Sequence, residues 1–584
     1  MPARFRCGKY LLAVQSAPPI MPRLSLRPVP LVLGFGLLAL ALRLVPALGD
    51  STVPATDEVG YLADGLLMLE GLAPGYKHVP NALLNWLVFF YAAIQTALIW
   101  LFATDPAVPP LLRPLLAMER ALFADYADMN GLRHAAISLQ IAVGAVAAGA
   151  LAWRGRIIAG LPGALLAGAL AAATPIFIEF AVEARAYSLA WSFAMLAFAA
   201  LTILQTPART LIAGALMGIA IATRIEMGLA LIPLLFELMQ REEPGRRRAA
   251  FFICLGSAIV VFLAVAPWYV TSLAGNLRQI ISVRLLSPPT AAGPGHNVVL
   301  DLLLGGLGLP IALTILGLLL TRGRGRFWGM AIGVWIALLA MLALKPSVHG
   351  LRHDGALLLL AAVMAPVALA RLMEVLRGES LQRIGAVVAA LLALQVSASG
   401  AYAAWDGYRN AVQGDAVAWI EENVPAGSPV YWVEGFFRMP LPTPESADRL
   451  WALTANPDAW RLKYRHAAQR LSLGDNLPRA MSEDPMQIER AVRRRWFILA
   501  APVDTKRPRY DLRTAGSGTP FAISFEDMPG ILCKQGGTFV YVGTASPRIA
   551  FPPTKIWAPA NGSPLSTIAL YSVAPPKPGE ERRC

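Results

Sequence analysis

Long apolar runs alternate with short polar segments through the first two thirds of the chain. Full-length runs lie at 29–48, 134–153, 157–178, 188–205, 250–269, 298–320, 327–344, 355–373 and 384–403. Each is close to the roughly 20 residues that cross a bilayer as a helix. Two shorter runs, 211–223 and 226–239, are separated by Arg224-Ile225-Glu226 and predict a helical hairpin with a charged tip. Helices of about 12–13 residues cover only about 18–20 Å. Either these helices extend through the polar tip, or the tip lies below the membrane surface and faces a wet cavity. The pattern predicts a polytopic α-helical membrane protein with about eleven transmembrane helices.

Basic residues set the orientation. Arg4, Arg6, Lys9, Arg23 and Arg27 precede the first run without an intervening acid, which marks 1–28 as a cytoplasmic segment. Met21 offers a second plausible start. A signal peptide competes for 29–48, since Ala47-Leu48-Gly49 is a tolerable cleavage site, but the run exceeds a signal core of about 7–15 residues. The segment 82–103 is apolar enough to span yet holds Asn85, Gln95, Trp86, Tyr91 and Trp100. If it spans, Arg154-Gly155-Arg156 falls outside. If it lies in the interface or re-enters, that cluster forms an inner turn, as the positive-inside rule prefers. Arg209, the 241–248 cluster, the 322–326 cluster, Arg377 and Arg383 then all face the cytoplasm, in a cell inner (plasma) membrane. A first external loop covers 49–131.

Composition agrees with this pattern. The 584 residues are 56% hydrophobic and 15% charged, with a mean hydropathy of +0.53; soluble domains carry about 25% charge. The net charge of +14 reports membrane topology and contact with anionic headgroups, not nucleic-acid binding. From about 404 the character changes. An amphipathic helix at 416–423 and strands at 430–433, 496–499, 538–542 and 567–573 predict an external soluble domain over 404–584, mixed α/β in class. The membrane domain then covers 29–403. No solenoid-period repeat is present. Cys7, Cys254, Cys533 and Cys584 have no metal or redox spacing. Cys533 and Cys584 can pair if their segment faces an oxidising compartment.

Candidate chemistry gathers on the predicted outer side. Asp57 and Glu58 follow the first span. Their plain reading is a solvated pair, or a helix start capped by Thr56; their functional reading is a general base facing cations. The same side holds Lys77, His78, Arg133, Arg185, Arg224, Arg284, His349, Arg352 and His353. A carboxylate that takes an acceptor proton, beside cations that stabilise charge on a departing phosphate, suits transfer from a phosphate-linked donor. Glu183 and Tyr187 are spaced i,i+4 and predict a shared helical face, with an ion pair and an interfacial tyrosine as the plainer account. Arg224 and Glu226 read equally as an ion pair. His349, Arg352 and His353 lean toward anion binding, with an exposed loop as the default.

The order of these motifs resembles a known family. Asp57-Glu58-x-x-Tyr61, Gly-Tyr-Lys-His-x-Pro at 75–80, Glu183-x-Arg185-x-Tyr187, Ala222-Thr223-Arg224 and Pro267-Trp268-Tyr269 are similar to the C-type glycosyltransferases. The branch is that of protein O-mannosyltransferases and lipid A aminoarabinose transferases, over about 29–405. The resemblance implies a polyprenyl-phosphate sugar donor, transfer at the external face, and inversion by single displacement. It implies that Asp57 is the base and Glu58 assists. Lys77 or His78, Arg224 and Arg284 would meet the donor phosphate, and Arg185 and Tyr187 would shape the same cavity. Arg352 and His353 are further candidates. Some relatives place a metal-binding His where this chain has Ile281, and a Glu near Lys77 or His78. A divalent metal is therefore disfavoured, and no other cofactor is implied.

The sequence thus points to a membrane glycosyltransferase with a hydroxyl acceptor on lipid, glycan or protein. Two rivals are a flippase or transporter of lipid-linked sugars and a non-catalytic membrane scaffold. Transporters tend to show internal repeats, and none is evident here.

Overall fold

The structure is a computed structural model. It describes residues 28–49, 82–87, 129–205, 207–271, 315, 319, 355–375 and 379–409. Beyond these it describes 415, 416, 419, 422, 423, 428–433, 510–515, 528–542, 552–558, 567–574, 576, 577, 579 and 580. Helices come first: α1 (Pro28–Gly49), α2 (Met129–Ala173), α3 (Pro175–Glu179), α4 (Ala186–Ile203), α5 (Ala208–Thr223), α6 (Gly228–Arg241), α7 (Arg247–Val265), α8 (Pro267–Thr271), α9 (Gly355–Val375) and α10 (Glu379–Arg409). Six of the described helices are long and apolar enough to cross a membrane: 29–49, 135–173, 186–203, 247–265, 358–375 and 382–409.

The longest of these folds back on itself. Helical geometry fails at Ala159 and at Gly160, whose φ of 67° and ψ of −154° suit glycine, and Pro162 follows. A Cβ on Gly155 would lie 2.2 Å from the Gly163 carbonyl oxygen. Residues eight apart on a straight helix are about 12 Å apart along the axis, so the two arms run antiparallel. The sequence places this reversal at Arg154–Arg156. It falls one turn later because Gly160 and Pro162 break the helix and Arg154 does not. The second arm ends at Ala173, short of the predicted 178, because Pro175 restarts the chain as α3.

Small residues set the packing. Apolar side chains gain little by leaving lipid for protein, so close backbone approach takes over as the adhesive. Gly36 meets the Ala145 carbonyl, Gly149 meets that of Val32, and Gly400 meets that of Ala173. Gly214 and Gly218 on α5 face the carbonyls of Cys254 and Ala258 on α7, where a Cβ would sit 2.3 and 2.5 Å from oxygen. The shared offset means that α5 and α7 run parallel. It also places Thr223 level with about Leu263, close to the end of α7. Gly218→Leu is therefore expected to force α5 from α7, at a cost of about 1–3 kcal/mol of overpacking. A lowered thermal midpoint in detergent would report it; an unchanged midpoint would contradict the close approach.

The helices share two distinct ends. Arg209, Arg241, the 246–248 arginines and Arg383 gather at one, hereafter the basic end. The opposite end collects aromatic residues, and there Tyr402, Trp405 and Tyr408 of α10 stay exposed, with Trp405 stacked on Tyr408 at 5.7 Å. Such a girdle suits a membrane–water boundary. Exposed Val29, Leu33, Leu37, Leu44 and Leu48 line α1, and Phe252, Ile259, Val260 and Leu263 line α7, as lipid-facing sides do.

A buried ionic knot sits one turn inside the basic end. Arg154 is 0% exposed and grips Glu237 with two hydrogen bonds of 2.8 and 3.0 Å. It also donates to the Phe198 carbonyl and the Thr202 hydroxyl. Arg241 donates to the same Glu237 Oε1 from Nε and Nη2, at 2.9 and 2.7 Å. Charges this deep persist only when paired, and these join α2, α4 and α6.

The remaining described elements form a five-stranded mixed sheet, in order β2-β1-β3-β5-β4. Its strands are β1 (Ser428–Val433), β2 (Tyr510–Ala515), β3 (Gly537–Val542), β4 (Lys555–Trp557) and β5 (Ile568–Val573). β1 runs parallel to β2 and β3, and β5 runs antiparallel to β3 and β4. Phe539 pairs with Tyr571 across the centre. β1, β3 and β5 fall on predicted strands, β2 and β4 were not foreseen, and 496–499 lies outside the described residues. A short helix α11 (Met528–Gln535) carries Cys533, which is disulfide-bonded. Its expected partner Cys584 lies outside the described residues.

Candidate functional site

At the aromatic end three of the sequence-predicted residues come together. Thr174 has no helical continuation because Pro175 lacks an N–H, so the chain makes the single turn α3 and then bends through 181–185. Arg185 takes an extended conformation (φ −118°, ψ 150°) just ahead of α4. Glu183 and Tyr187 therefore do not share a helical face, contrary to their spacing. Glu183 lies in the bend and Tyr187 in the first turn of α4. Gln140 of α2 holds the bend by donating to the Glu183 carbonyl at 2.7 Å.

The second contribution is the hairpin tip. Arg224 is extended (φ −148°, ψ 115°) and ends α5, and Ile225–Met227 make one 3₁₀ turn before α6. The helices do not extend through the tip. They reach instead toward the basic end, with 16 and 14 residues, or about 24 and 21 Å. The tip consequently comes level with the last turn of α7.

Arg224 joins the two segments. Its guanidinium carbon lies 4.0 Å from the centre of the Tyr187 ring, a cation–π contact strengthened by exclusion of water. Phe180 and Trp191 pack on the same tyrosine at 5.2 and 5.8 Å. Arg224 also forms a fork with Glu226, from Nε at 3.1 Å and Nη2 at 2.9 Å. Arg185 Nε lies 3.1 Å from Glu183 Oε2, close enough for an ion pair but without hydrogen-bond alignment. Both arginines are nearly buried, at 6% and 5% exposure.

Next to the tip, the helical turn at 82–87 packs against Ala222, Ala266 and Tyr269. Trp86 donates to the Val265 carbonyl at 2.7 Å and meets Trp268 at 6.0 Å. The start of 82–103 thus sits at the aromatic end; its remainder lies outside the described residues. Asp57, Glu58, Lys77, His78, Arg284, Arg352 and His353 also lie outside them, so the structure brings together Arg185, Tyr187 and Arg224 of the predicted set. No cluster of three metal-ligating side chains occurs among the described residues.

Two features escaped the sequence reading. Arg43, inside the first apolar run, is 2% exposed and donates to the carbonyls of Ala171 and Ala172 at 3.0 and 3.4 Å. These are final carbonyls of α2, which lack helical partners, so Arg43 caps the arm that leads into the site. A lone arginine within an apolar run was the available signal. Glu179 was the other. Desolvation, then the carboxylates of Glu183 and Asp406, push its carboxyl up to about 7, a shift that the residue's solvent exposure screens. A carboxyl raised above its unfolded value binds more protons in the folded state, so this group's contribution falls as pH rises from about 4.5 to about 7. Glu179→Gln is expected to flatten that part of the stability–pH profile. An equally steep profile in the variant would assign the slope elsewhere.

No protein-family model matches the chain, and no curated protein does. Among solved structures, the chain is similar to ArnT from Cupriavidus metallidurans in the apo state, with 15% identity and a TM-score of 0.44. The alignment covers 92% of this chain and 97% of that one. It is similar to the same protein bound to undecaprenyl phosphate, with 15% identity, the same coverage and a TM-score of 0.43.

Proposed function

We propose that this chain is a membrane glycosyltransferase that takes a sugar from a polyprenyl-phosphate-linked donor and passes it to a hydroxyl acceptor. The observation that carries this reading is the meeting of Tyr187 and Arg224, from separate segments, with Arg185 close by in sequence. The Arg224 guanidinium lies over the Tyr187 ring, and Arg185 is nearly buried two residues from that tyrosine, at one end of an apolar bundle. Guanidinium forks match phosphate oxygens, and the rings supply an apolar flank for a prenyl chain.

In this reading the basic end faces the cytoplasm, by the positive-inside rule, and the aromatic end faces outward. The disulfide at Cys533 supports an external position for the sheet. Asp57 then removes the acceptor proton and Glu58 assists. Arg224, with Lys77, His78, Arg284 and, as further candidates, Arg352 and His353, stabilises charge on the departing lipid phosphate. Arg185 and Tyr187 shape the cavity. The displacement is direct and inverts the anomeric carbon. A divalent metal is disfavoured, because Ile281 stands where some relatives of the resembled family place a metal-binding His. The cell inner membrane is the expected location.

Purified protein in liposomes is expected to consume polyprenyl-phosphate sugar and release polyprenyl phosphate when a hydroxyl acceptor is supplied. Arg224→Ala should lower kcat/KM by roughly 10²-fold or more. Movement of intact donor across the bilayer without cleavage would instead favour a transporter.

A further inference from the structure

We propose that Glu226 is a displaceable counter-ion that occupies the phosphate-binding fork of Arg224 until a lipid phosphate takes its place. The inference rests on the donor reading above and adds a control element to it.

The two members of the pair are unequally placed. The Arg224 side chain is 6% exposed and that of Glu226 is 30% exposed. One face of the guanidinium is covered by the Tyr187 ring. Its Nε–Nη2 edge is filled by the Glu226 carboxylate, with contacts at 3.1, 2.9 and 3.2 Å. That edge is one of the two that can grip a phosphate bidentately. The carboxylate is thus the more accessible partner, seated on the fork that a phosphate would use.

The geometry also permits release. Glu226 lies two residues from Arg224, in a 3₁₀ turn of three residues. Its side chain is partly exposed to water at this turn. Partly exposed ion pairs are held weakly, whereas the stacked and nearly buried guanidinium stays fixed. Exchange leaves Arg224 paired throughout, so the buried charge is never bare. A neutral headgroup has nothing to offer in exchange, which makes the pair a filter for anions. Glu183 and Arg185 repeat the asymmetry, at 24% and 7% side-chain exposure, but without the bidentate fork.

The test compares wild type with Glu226→Gln and Glu226→Ala in detergent micelles. Two probes are used: polyprenyl phosphate binding, and modification of Arg224 by phenylglyoxal, read by peptide mass spectrometry. Both variants are expected to bind polyprenyl phosphate about two- to fivefold more tightly, the range an exposed ion pair spans. Their Arg224 should react faster than wild type without lipid, and added polyprenyl phosphate should slow the reaction. Weaker or unchanged binding in both variants, in a protein that does bind the lipid, would overturn the proposal by showing that Glu226 positions Arg224 for the ligand. If no form binds polyprenyl phosphate, the donor reading fails. The counter-ion role is then decided by phenylglyoxal alone: faster modification supports it and an unchanged rate overturns it.

Discussion

Glu237→Ala is expected to lower the stability of the helical bundle by about 3–5 kcal/mol, the cost of leaving a buried charge without its partner. Arg154 is fully enclosed, and its charge is paired by two hydrogen bonds to Glu237. Alanine leaves this cation facing Arg241, which loses the same carboxylate. Arg154→Ala should be milder, because Glu237 keeps Arg241 and Arg241 keeps Thr202. Replacing all three charges with Met or Leu of similar volume is expected to be near neutral or stabilising, since well-packed apolar groups avoid the desolvation cost. Thermal unfolding in detergent, followed by tryptophan fluorescence, measures each case. A wild-type midpoint for Glu237→Ala would show that water reaches the knot.

The largest effect on activity is expected at Asp57. Asp57→Ala should reduce transfer by about 10²–10⁴-fold, the usual contribution of a positioned base, while the protein still inserts and unfolds at the wild-type temperature. The sequence places this carboxylate just beyond the first span, on the side to which Arg185, Arg224 and Tyr187 are assigned. Asp57→Asn keeps the shape and removes the basicity, so it should fail equally. Full activity in either variant would sink the catalytic assignment and, with it, the single-displacement scheme. Glu58→Gln should retain partial activity, as an assisting residue that does not carry the proton would.

Much of the helical architecture was legible as hydropathy. The helices near 29–48, 188–205 and 250–269 were placed to within about four residues, because a bilayer imposes length and polarity on each segment by itself. The hairpin tip at Arg224 was equally visible, as the charge separating two apolar runs. Errors came where local chemistry competed. The reversal in α2 was assigned to Arg154–Arg156 because arginines usually mark cytoplasmic turns. Gly160 and Pro162 carry the stronger signal, since glycine admits the positive φ and proline breaks the helical hydrogen bonding. The i,i+4 spacing of Glu183 and Tyr187 gives a common face only within a helix, and the bend at 181–185 interrupts it.

By itself, then, the sequence determined the helical membrane class, the order of the described helices and the short list of candidate site residues. These follow from solvent: a bilayer admits apolar helices and penalises lone charge, one segment at a time. The tertiary structure alone decided which charges pair and where. Arg154 left its expected cytoplasmic turn for a buried partner 83 residues away. Arg43 became the cap of another helix, and Arg224 settled on Tyr187 with Glu226 in its fork. Pairing depends on distances between segments, and those distances are set by glycines that let backbones touch, a property that no single segment carries.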